Sequence, residues 1–209
     1  IMQNMAAKNK VIFFSLETNK VNIANKLICS AGKIQLNKIL HKNLTDDERT
    51  NYLNTSSELM KLNLEIVEAS GMTVNQIITK SLQRQADIIF IDYLTLVKAE
   101  SRTLYEKATK ISNELHTMAQ KHKITIIALS QLKRPDSSRK VSEPTMSDLR
   151  ESGAIEQDAD VVILLHDLAE DLSAEEQAEQ RKNINKQERS LIVAKNKLGR
   201  TGKINLQFY

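Results

Sequence analysis

Three continuous apolar runs along the chain each end in a polar residue. The runs are Val11–Leu16, Ile88–Ile91 and Thr125–Ser130, and the residues that follow them are Glu17, Asp92 and Gln131. The runs lack polar alternation and are rich in β-branched and aromatic residues, so we predict strands buried on both faces, as in a parallel sheet. The carboxyl ends of parallel strands form the ligand-binding edge of open α/β sheets. A single carboxylate at a strand end is usually a turn residue or a helix cap, but two acids and an amide at one edge favour a nucleotide and metal site.

The segments between these runs show helical patterns. Asn19 is a typical N-cap, and Thr45–Glu48 and Thr73–Gln76 are typical capping boxes. Apolar residues recur at every third or fourth position over Leu104–Ala119, which predicts an amphipathic helix. Strands that alternate with helices predict an α/β fold with a doubly wound, mainly parallel sheet flanked by helices. Another apolar run, Ala159–Leu165, predicts one more buried strand.

The end of the chain predicts a β-hairpin. Ser190–Ala194 and Lys203–Phe208 are strand-like, and the basic segment Lys195–Gly202 joins them. Residues 167–189 are charged and poor in apolar side chains, so we predict a solvated helix or a mobile insertion there. The chain has 209 residues, of which 41% are hydrophobic, and this predicts a single domain over residues 1–209.

Composition narrows the classes of function. No apolar run approaches the roughly 20 residues of a membrane span. Cys29 is the only cysteine, which excludes a disulfide within the chain and favours the cytoplasm. The net charge of +4 permits an acidic polymer as partner without requiring one. The absence of Trp argues against an aromatic stacking platform for single-stranded nucleic acid.

The three residues at the strand ends suit the chemistry of a nucleoside triphosphate. Mg²⁺ needs only one or two protein carboxylates beside waters and phosphates, which suits Asp92. Glu17 is placed to orient or deprotonate an attacking water, and the Gln131 amide offers both a donor and an acceptor to a γ-phosphate. None of the five glycines in this sequence lies in a phosphate-loop motif of the form G-x-x-x-x-G-K-[ST].

Four segments resemble the RecA-like motor domain of DnaB-type replicative helicases. They are Phe13–Glu17, Ile91–Leu94, Ala128–Leu132 and, most specifically, Ser147–Asp160. The resemblance spans nearly all of the chain, is weakest over residues 167–189 and does not include the amino-terminal domain of the family. It implies a RecA-like fold with a C-terminal β-hairpin, ATP and Mg²⁺ as cofactors, and ATP-driven unwinding by translocation along single-stranded DNA. It also implies a homohexameric ring, with a primase and a helicase loader as partners, and no membrane.

The resemblance implies roles for individual residues. Glu17 is the expected catalytic base, Asp92 the expected Walker B acid that holds Mg²⁺ through water, and Gln131 the expected link between nucleotide state and the DNA loops. The residues that fall where the family grips the phosphates of single-stranded DNA are Arg150, Glu151 and Gly153. Arg134, in the basic loop Lys133–Lys140, is a further candidate for DNA binding, with a solvated surface loop as the equal alternative.

The closing hairpin carries the expected trans-acting residues of the ring. In the family, a Lys and an Arg reach the γ-phosphate bound by the neighbouring subunit. Lys195 matches the first position, whereas Lys197 stands where the family has Arg. Lysine keeps the charge but lacks the planar fork that makes bidentate bonds to phosphate. Arg200, three residues further on, is the alternative candidate for this role.

The phosphate loop of the family lies just before a helix whose tail resembles Ile1–Ala7. We therefore expect the first strand and the phosphate loop to lie upstream of Ile1, and we expect the 209 residues alone to bind ATP weakly. Two alternatives stay open from the sequence. One is a non-hydrolysing RecA-like module that joins or regulates a helicase ring. The other is a different RecA-like ATPase, such as a recombinase or a clock-type ATPase, against which Ser147–Asp160 argues.

Overall fold

The chain folds into two units, each built around its own β-sheet. The structure is a computed structural model, and it describes residues 1–133, 143–149, 153–171 and 187–208. The first unit comprises Ile1–Arg102 and Glu114–Ser130, and the second comprises Thr103–Asn113 and the described residues of Gln131–Tyr209. A single domain over residues 1–209 stays a prediction.

The first unit contains a four-stranded parallel sheet in the order β2-β1-β3-β4. Its elements in chain order are α1 (Met2–Ala6), β1 (Val11–Ser15), α2 (Lys20–Gly32), α3 (Leu36–Leu40), α4 (Asp46–Met60), β2 (Leu64–Glu68), α5 (Val74–Gln83), β3 (Ile88–Asp92), a 3₁₀ turn (Leu94–Leu96), α6 (Leu104–His122) and β4 (Thr125–Ala128). Helix α6 is shared by the two units. The parallel sheet and its intervening helices agree with the sequence prediction.

The two inner strands form the core of the parallel sheet. Residues 88–91 of β3 are all buried, and β1 is buried at every position except the partly buried Phe13. The rings of Phe13 and Phe90 stack with their centroids 6.3 Å apart. The prediction that β4 is buried on both faces is wrong, because Thr125 and Ala128 are exposed. Strand β4 pairs only with β3 among the described residues, so it lies at an edge of the sheet.

Side-chain caps define where three helices of the first unit begin, as the sequence predicts. The Asn19 side chain accepts the Asn22 N–H at 2.8 Å at the start of α2. Helices α4 and α5 begin with complete capping boxes, Thr45 with Glu48 and Thr73 with Gln76. Each box satisfies two backbone N–H groups that the first helical turn leaves without a partner.

The second unit contains a three-stranded antiparallel sheet in the order β5-β6-β7. Its described elements are a 3₁₀ turn (Met146–Asp148), α7 (Gly153–Asp158), β5 (Val161–Asp167), a second 3₁₀ turn (Leu168–Asp171), β6 (Gln187–Asn196) and β7 (Gly202–Phe208). The predicted C-terminal hairpin is confirmed as β6 and β7, and both strands begin earlier than the sequence predicts.

The prediction of a fully buried strand at Ala159–Leu165 is wrong. Strand β5 pairs antiparallel with β6, and its residues alternate between exposed and buried. Val162 and Leu164 face a core with Ile192, and the partly buried residues packed against that core are Leu132, Met146, Leu149, Ala159 and Ala194. On the other face, Val161, Ile163 and Leu165 remain about half exposed. The local sequence is apolar on both faces, but only one face of β5 is packed by described residues.

The predicted insertion at residues 167–189 begins and ends in regular elements. Asp167 ends β5, Arg189 pairs with it in β6, and their side chains form an ion pair. Residues 172–186 lie outside the described residues, so a mobile insertion there stays a prediction. Among the helices that the structure describes, none combines the length and apolar character that crossing a bilayer requires.

Replacing the buried Ile89 tests the inner position of β3. We expect Ile89→Ala to lower the free energy of unfolding by about 2–5 kcal/mol, because it removes buried methyl groups and leaves a cavity. Leu53→Ala is the control, since Leu53 is 61% exposed on α4, and it should change stability by no more than about 0.5 kcal/mol. Urea unfolding of the complete gene product measures both. Equal losses in the two variants would contradict the burial of Ile89.

Candidate nucleotide site and candidate DNA segment

The pairing of β1 with β3 brings two acids to the same edge of the parallel sheet. Ser15 lies opposite Asp92 in the register of the two strands. The N–H of Leu16 donates to the carbonyl oxygen of Asp92 at 2.9 Å, so the pairing extends one residue beyond β1. Glu17 follows directly. The structure therefore places Glu17 and Asp92 together at the carboxyl ends of adjacent strands, as predicted.

A buried serine shapes the turn that presents Glu17. The Ser15 hydroxyl is almost fully buried, donates to the carbonyl oxygen of Thr18 at 2.5 Å and accepts the Thr18 N–H at 3.1 Å. These bonds close a tight turn between β1 and α2, and the Glu17 side chain is left exposed. Sequence reasoning missed Ser15, although a hydroxyl inside an otherwise apolar run was the available signal.

The electrostatics of the edge favour a bound cation. Burial raises the pKa of the Asp92 carboxyl above its ordinary value, and the negative charge of Glu17 raises it further. The Lys26 ammonium on α2 acts in the opposite direction and only partly compensates. Two carboxylates held close together, one of them partly buried, fit a site for Mg²⁺. Sequence reasoning missed Lys26, and no local pattern distinguishes it from the other lysines.

A third acid at this edge has a structural partner. Glu68, the last residue of β2, accepts the Lys20 N–H at 2.9 Å and so holds the start of α2. Across the part of the chain that the structure describes, no group of three or more His, Cys, Asp or Glu side chains is arranged to hold a metal ion. Mg²⁺ does not require such a group, because waters and phosphate oxygens supply most of its ligands.

Gln131 begins a segment that pairs with Asp148 and Leu149, the residues just before the predicted DNA-binding residues. It is exposed and belongs to the second unit. The next residue, Leu132, forms an antiparallel bridge with Leu149, and the Lys133 N–H donates to the Asp148 carbonyl oxygen at 2.7 Å. Gln131 thus directly precedes Leu132, and Leu149, the bridge partner of Leu132, directly precedes Arg150 in the sequence.

Most predicted DNA-binding residues lie outside the described part of the chain. These are Arg134, Arg150 and Glu151. Gly153 is described, and it is the exposed first residue of α7. The structure leaves the roles of all four as predictions.

Of the two predicted trans-acting lysines, Lys195 binds the end of α7 and Lys197 binds Asp160, two residues beyond it, within the same chain. The Lys195 ammonium donates to the carbonyl oxygens of Glu156 and Gln157 at 2.6 and 3.1 Å. The Lys197 ammonium lies 2.7 Å from a carboxylate oxygen of Asp160. The Lys197 N–H also donates to the Asp160 carbonyl oxygen at 2.9 Å. The last carbonyls of a helix lack helical partners and attract cations, which explains the position of Lys195.

Arg200 lies in the exposed turn between β6 and β7. The Asn196 side chain accepts the Leu198 N–H at 3.2 Å and donates to the Arg200 carbonyl oxygen at 3.4 Å, so one amide spans the turn. A Cβ atom on Gly199 would lie 2.6 Å from that amide nitrogen, so any other residue at this position would displace the Asn196 side chain. Lys197 and Arg200 therefore lie on either side of a defined turn. Of these two residues, Lys197 is the one with a described side-chain partner, Asp160.

Comparison with known proteins identifies relatives over the whole chain. A family model described as the DnaB-like helicase C terminal domain matches residues 1–209. The chain is 31% identical to the replicative DNA helicase DnaC of Bacillus subtilis, with 100% of this chain and 46% of that protein aligned. It is 34% identical to the replicative DNA helicase DnaB of Mycoplasma genitalium, with 95% of this chain and 43% of that protein aligned. The chain thus spans a little under half the length of these two relatives.

Solved structures confirm the predicted RecA-like α/β fold. One of them, described as an ATPase domain, superposes with a TM-score of 0.85 at 30% identity, over 99% of this chain and 74% of that one. A DnaB-like replicative helicase, described with its interactions with primase, gives a TM-score of 0.85 at 30% identity, over 100% of this chain and 50% of that one. The family model, the relatives and the fold agree, and the chain belongs to the family of DnaB-like helicase C-terminal domains.

Proposed function

We propose that this chain is the motor domain of a replicative DNA helicase that hydrolyses ATP to move along single-stranded DNA and unwind duplex. The observation that carries the proposal is the pair of acids at the ends of β1 and β3, in a chain whose relatives are replicative helicases. Glu17 is exposed and lies beside the partly buried Asp92, which gives one carboxylate for proton transfer and one for a metal ion.

Each acid has a distinct role in this proposal. Glu17 acts as the base that orients and deprotonates the attacking water. Asp92 would hold Mg²⁺, an ion that prefers oxygen ligands and retains most of its waters. Bound Mg²⁺ supplies charge neutralisation on the triphosphate. The hydroxyl of Ser15 fixes the turn that carries Glu17, so that the base keeps its position at the end of β1.

The proposed contacts with DNA involve the segment before α7. Arg150, Glu151 and Gly153 contact the phosphates of single-stranded DNA, with Arg134 as an additional basic residue. Arg side chains and exposed N–H groups hold phosphate without reading base sequence, as a translocating motor requires. Gln131 couples nucleotide state to this segment, and support comes from the bridge between Leu132 and Leu149.

The proposed assembly is a homohexameric ring in the cytoplasm. Lys195 and Lys197 reach the γ-phosphate bound by the neighbouring subunit, with Arg200 as the alternative to Lys197. A primase and a helicase loader are the proposed partners. The primase is supported by the solved DnaB-like relative described with its interactions with primase.

A non-hydrolysing module that joins or regulates a helicase ring is the second candidate function. It is favoured by Lys197, which replaces the Arg of the family and is bound to Asp160 in its own chain. This module would keep the fold and the ring but not the turnover of ATP.

Glu17→Gln tests the assignment of the catalytic base. In the complete gene product we expect it to lower single-strand-stimulated ATP turnover by at least about 100-fold, because the amide cannot accept the proton. Binding of a fluorescent ATP analogue should persist. Glu68→Gln is the matched control, because its amide oxygen can still accept the Lys20 N–H, and it should keep most of the turnover.

Two results would count against the motor assignment. Full turnover in Glu17→Gln would show that Glu17 is not the base. No turnover in the unaltered protein, with the ring still assembled, would favour the non-hydrolysing module.

Asp92→Asn tests the proposed metal ligand through stability. Without Mg²⁺ at neutral pH we expect a higher thermal midpoint than wild type, because the ionised Asp92 is partly buried beside Glu17. The raised pKa means that the folded chain binds this proton more tightly than the unfolded chain does. Stability from this group is therefore present at low pH and lost as pH rises through the raised pKa, so the advantage of the Asn variant should grow with pH.

Added Mg²⁺ should reverse that advantage, since only the carboxylate attracts the cation. Thermal unfolding of both proteins at several pH values, with and without Mg²⁺ and ATP, measures the effect. Equal responses of the two proteins to Mg²⁺ would remove Asp92 from the metal site.

Arg150→Ala tests the phosphate contact with DNA. We expect weaker binding to all single-stranded sequences, with the slope of log K against log salt reduced by about 0.7, the value for one lost phosphate contact. Arg84→Ala is the control of equal charge, since Arg84 pairs with Glu65 on the surface. Fluorescence anisotropy with a thymine oligonucleotide measures both. Equal slopes for Arg150→Ala and wild type would contradict the contact.

A further inference from the structure

The serine at the end of β1 is fixed by strand pairing on both sides. Ser15 lies opposite Glu68 of β2 and Asp92 of β3 in the register of the parallel sheet. Its carbonyl oxygen accepts the Ala69 N–H at 2.7 Å, and the residue is only 2% exposed. A hydroxyl in such a buried position costs free energy unless it is hydrogen-bonded. The sheet therefore holds Ser15 firmly, and the partners of its hydroxyl decide what this side chain does.

Both described hydrogen bonds of the Ser15 hydroxyl go to the backbone of Thr18. The hydroxyl donates to the Thr18 carbonyl oxygen at 2.5 Å and accepts the Thr18 N–H at 3.1 Å. Side chains of serine form such local bonds in place of regular backbone pairing. Before Glu17, the buried Leu16 donates its N–H to the Asp92 carbonyl oxygen at 2.9 Å. Glu17 thus lies between two residues that are each hydrogen-bonded to the sheet.

The start of α2 is held independently of this hydroxyl. The Asn19 side chain caps the first turn of the helix, and the Glu68 carboxylate accepts the Lys20 N–H at 2.9 Å. Thr18 is only partly buried, so water can replace the hydroxyl at its N–H and carbonyl groups. Loss of the hydroxyl should therefore loosen the turn that carries Glu17 and leave the strand and the helix on either side in place.

The proposed metal ligand does not depend on the same bonds. Asp92 ends β3, and residues 88–91 of that strand are buried in the core. The core therefore sets the position of Asp92, whereas a turn closed by one hydroxyl sets the position of Glu17. The rate of a reaction step is sensitive to such placement, since a displacement of about 1 Å can cost about 100-fold.

We infer that Ser15 is a positioning residue for the proposed base, and that it acts on Glu17 without acting on Asp92. Its hydroxyl keeps the Glu17 carboxylate at the end of β1, beside Asp92. Removal of the hydroxyl slows proton transfer from the attacking water and leaves the binding of nucleotide and Mg²⁺ intact. The inference rests on the proposed function, since it requires Glu17 as the base and Asp92 as the metal ligand.

Steady-state ATP turnover of the complete gene product, stimulated by a thymine oligonucleotide, tests this role. We expect Ser15→Ala to lower kcat by about 10- to 100-fold, because the base is no longer held in place. The KM for ATP and the Mg²⁺ concentration at half-maximal turnover should change by less than about threefold, since binding is unaffected. Ser15→Thr, which keeps the hydroxyl, should retain most of the wild-type kcat.

Ser81→Ala is the matched control for the loss of a buried hydroxyl. Ser81 is fully buried on α5, and its hydroxyl donates to the Ile77 carbonyl oxygen at 2.7 Å. Its replacement should lower the thermal midpoint, as Ser15→Ala does, but it should leave kcat unchanged. If Ser15→Ala does not fold, Ser15→Cys takes its place, because a thiol keeps the side chain but is only a weak donor and acceptor. Its kcat should lie between those of wild type and Glu17→Gln.

A double variant shows whether Ser15 acts through Glu17. In a Glu17→Gln background, Ser15→Ala should cause no further loss of kcat, because the base that the turn positions is already absent. Residues that act through one another give such non-additive effects, whereas independent residues give additive ones. A further loss of about tenfold in the double variant would mean that Ser15 acts by another route, and it would overturn the inference.

The remaining outcomes separate this inference from the proposed function. No turnover in the unaltered protein, or full turnover in Glu17→Gln, would overturn both. A large loss in Glu17→Gln with equal kcat values for Ser15→Ala and Ser81→Ala would overturn the inference alone. The same holds if Ser15→Ala changes KM or the Mg²⁺ dependence instead of kcat, or if Ser15→Thr loses as much kcat as Ser15→Ala.

Discussion

The parallel pairing of β1 with β3 is the constraint on which the candidate site depends. The same register that buries Ile89 and Ile91 between neighbouring strands also sets Ser15 opposite Asp92. Side chains alternate between the two faces of a strand, so a slip of one residue would move the buried set and the acids together. Core packing and chemistry therefore share one constraint, and the free energy of the core holds two carboxylates close despite their repulsion.

Local signals were sufficient for the parts of the fold that short segments decide. The capping boxes at Thr45 and Thr73 need only residues three positions apart, and both form as predicted. The apolar run of β3 has no polar side chain before Asp92, and the burial of residues 88–91 agrees with the prediction from that run. Glu17 and Asp92 were predictable as neighbours because both end such runs, and inner strands of one parallel sheet end at one edge.

The pairing of segments that are distant in the sequence was not predictable from local signals. Strand β5 is as apolar as β3, yet it pairs antiparallel with β6 and leaves Ile163 and Leu165 about half exposed. Apolar character indicates that a strand prefers burial, but it does not indicate which segment will cover the strand. The bond between Lys197 and Asp160 joins residues 37 apart in the sequence and depends on the register of β5 and β6. Lys26 is another such case, because only the path of α2 brings its charge near Asp92.

Lysine at position 197 makes a weaker bond to Asp160 than arginine would make. A guanidinium would form a planar, bidentate pair with a carboxylate, and release would cost two aligned bonds. A lysine makes a single bond with a compact ammonium, and exposed pairs of this kind contribute only about 0–1 kcal/mol. Asp160 is 71% exposed, so solvent screens the pair and replaces the lost bond on release. The bond of Lys197 to Asp160 therefore opens and closes readily, whereas a bidentate pair with arginine would hold the turn after β6 more firmly.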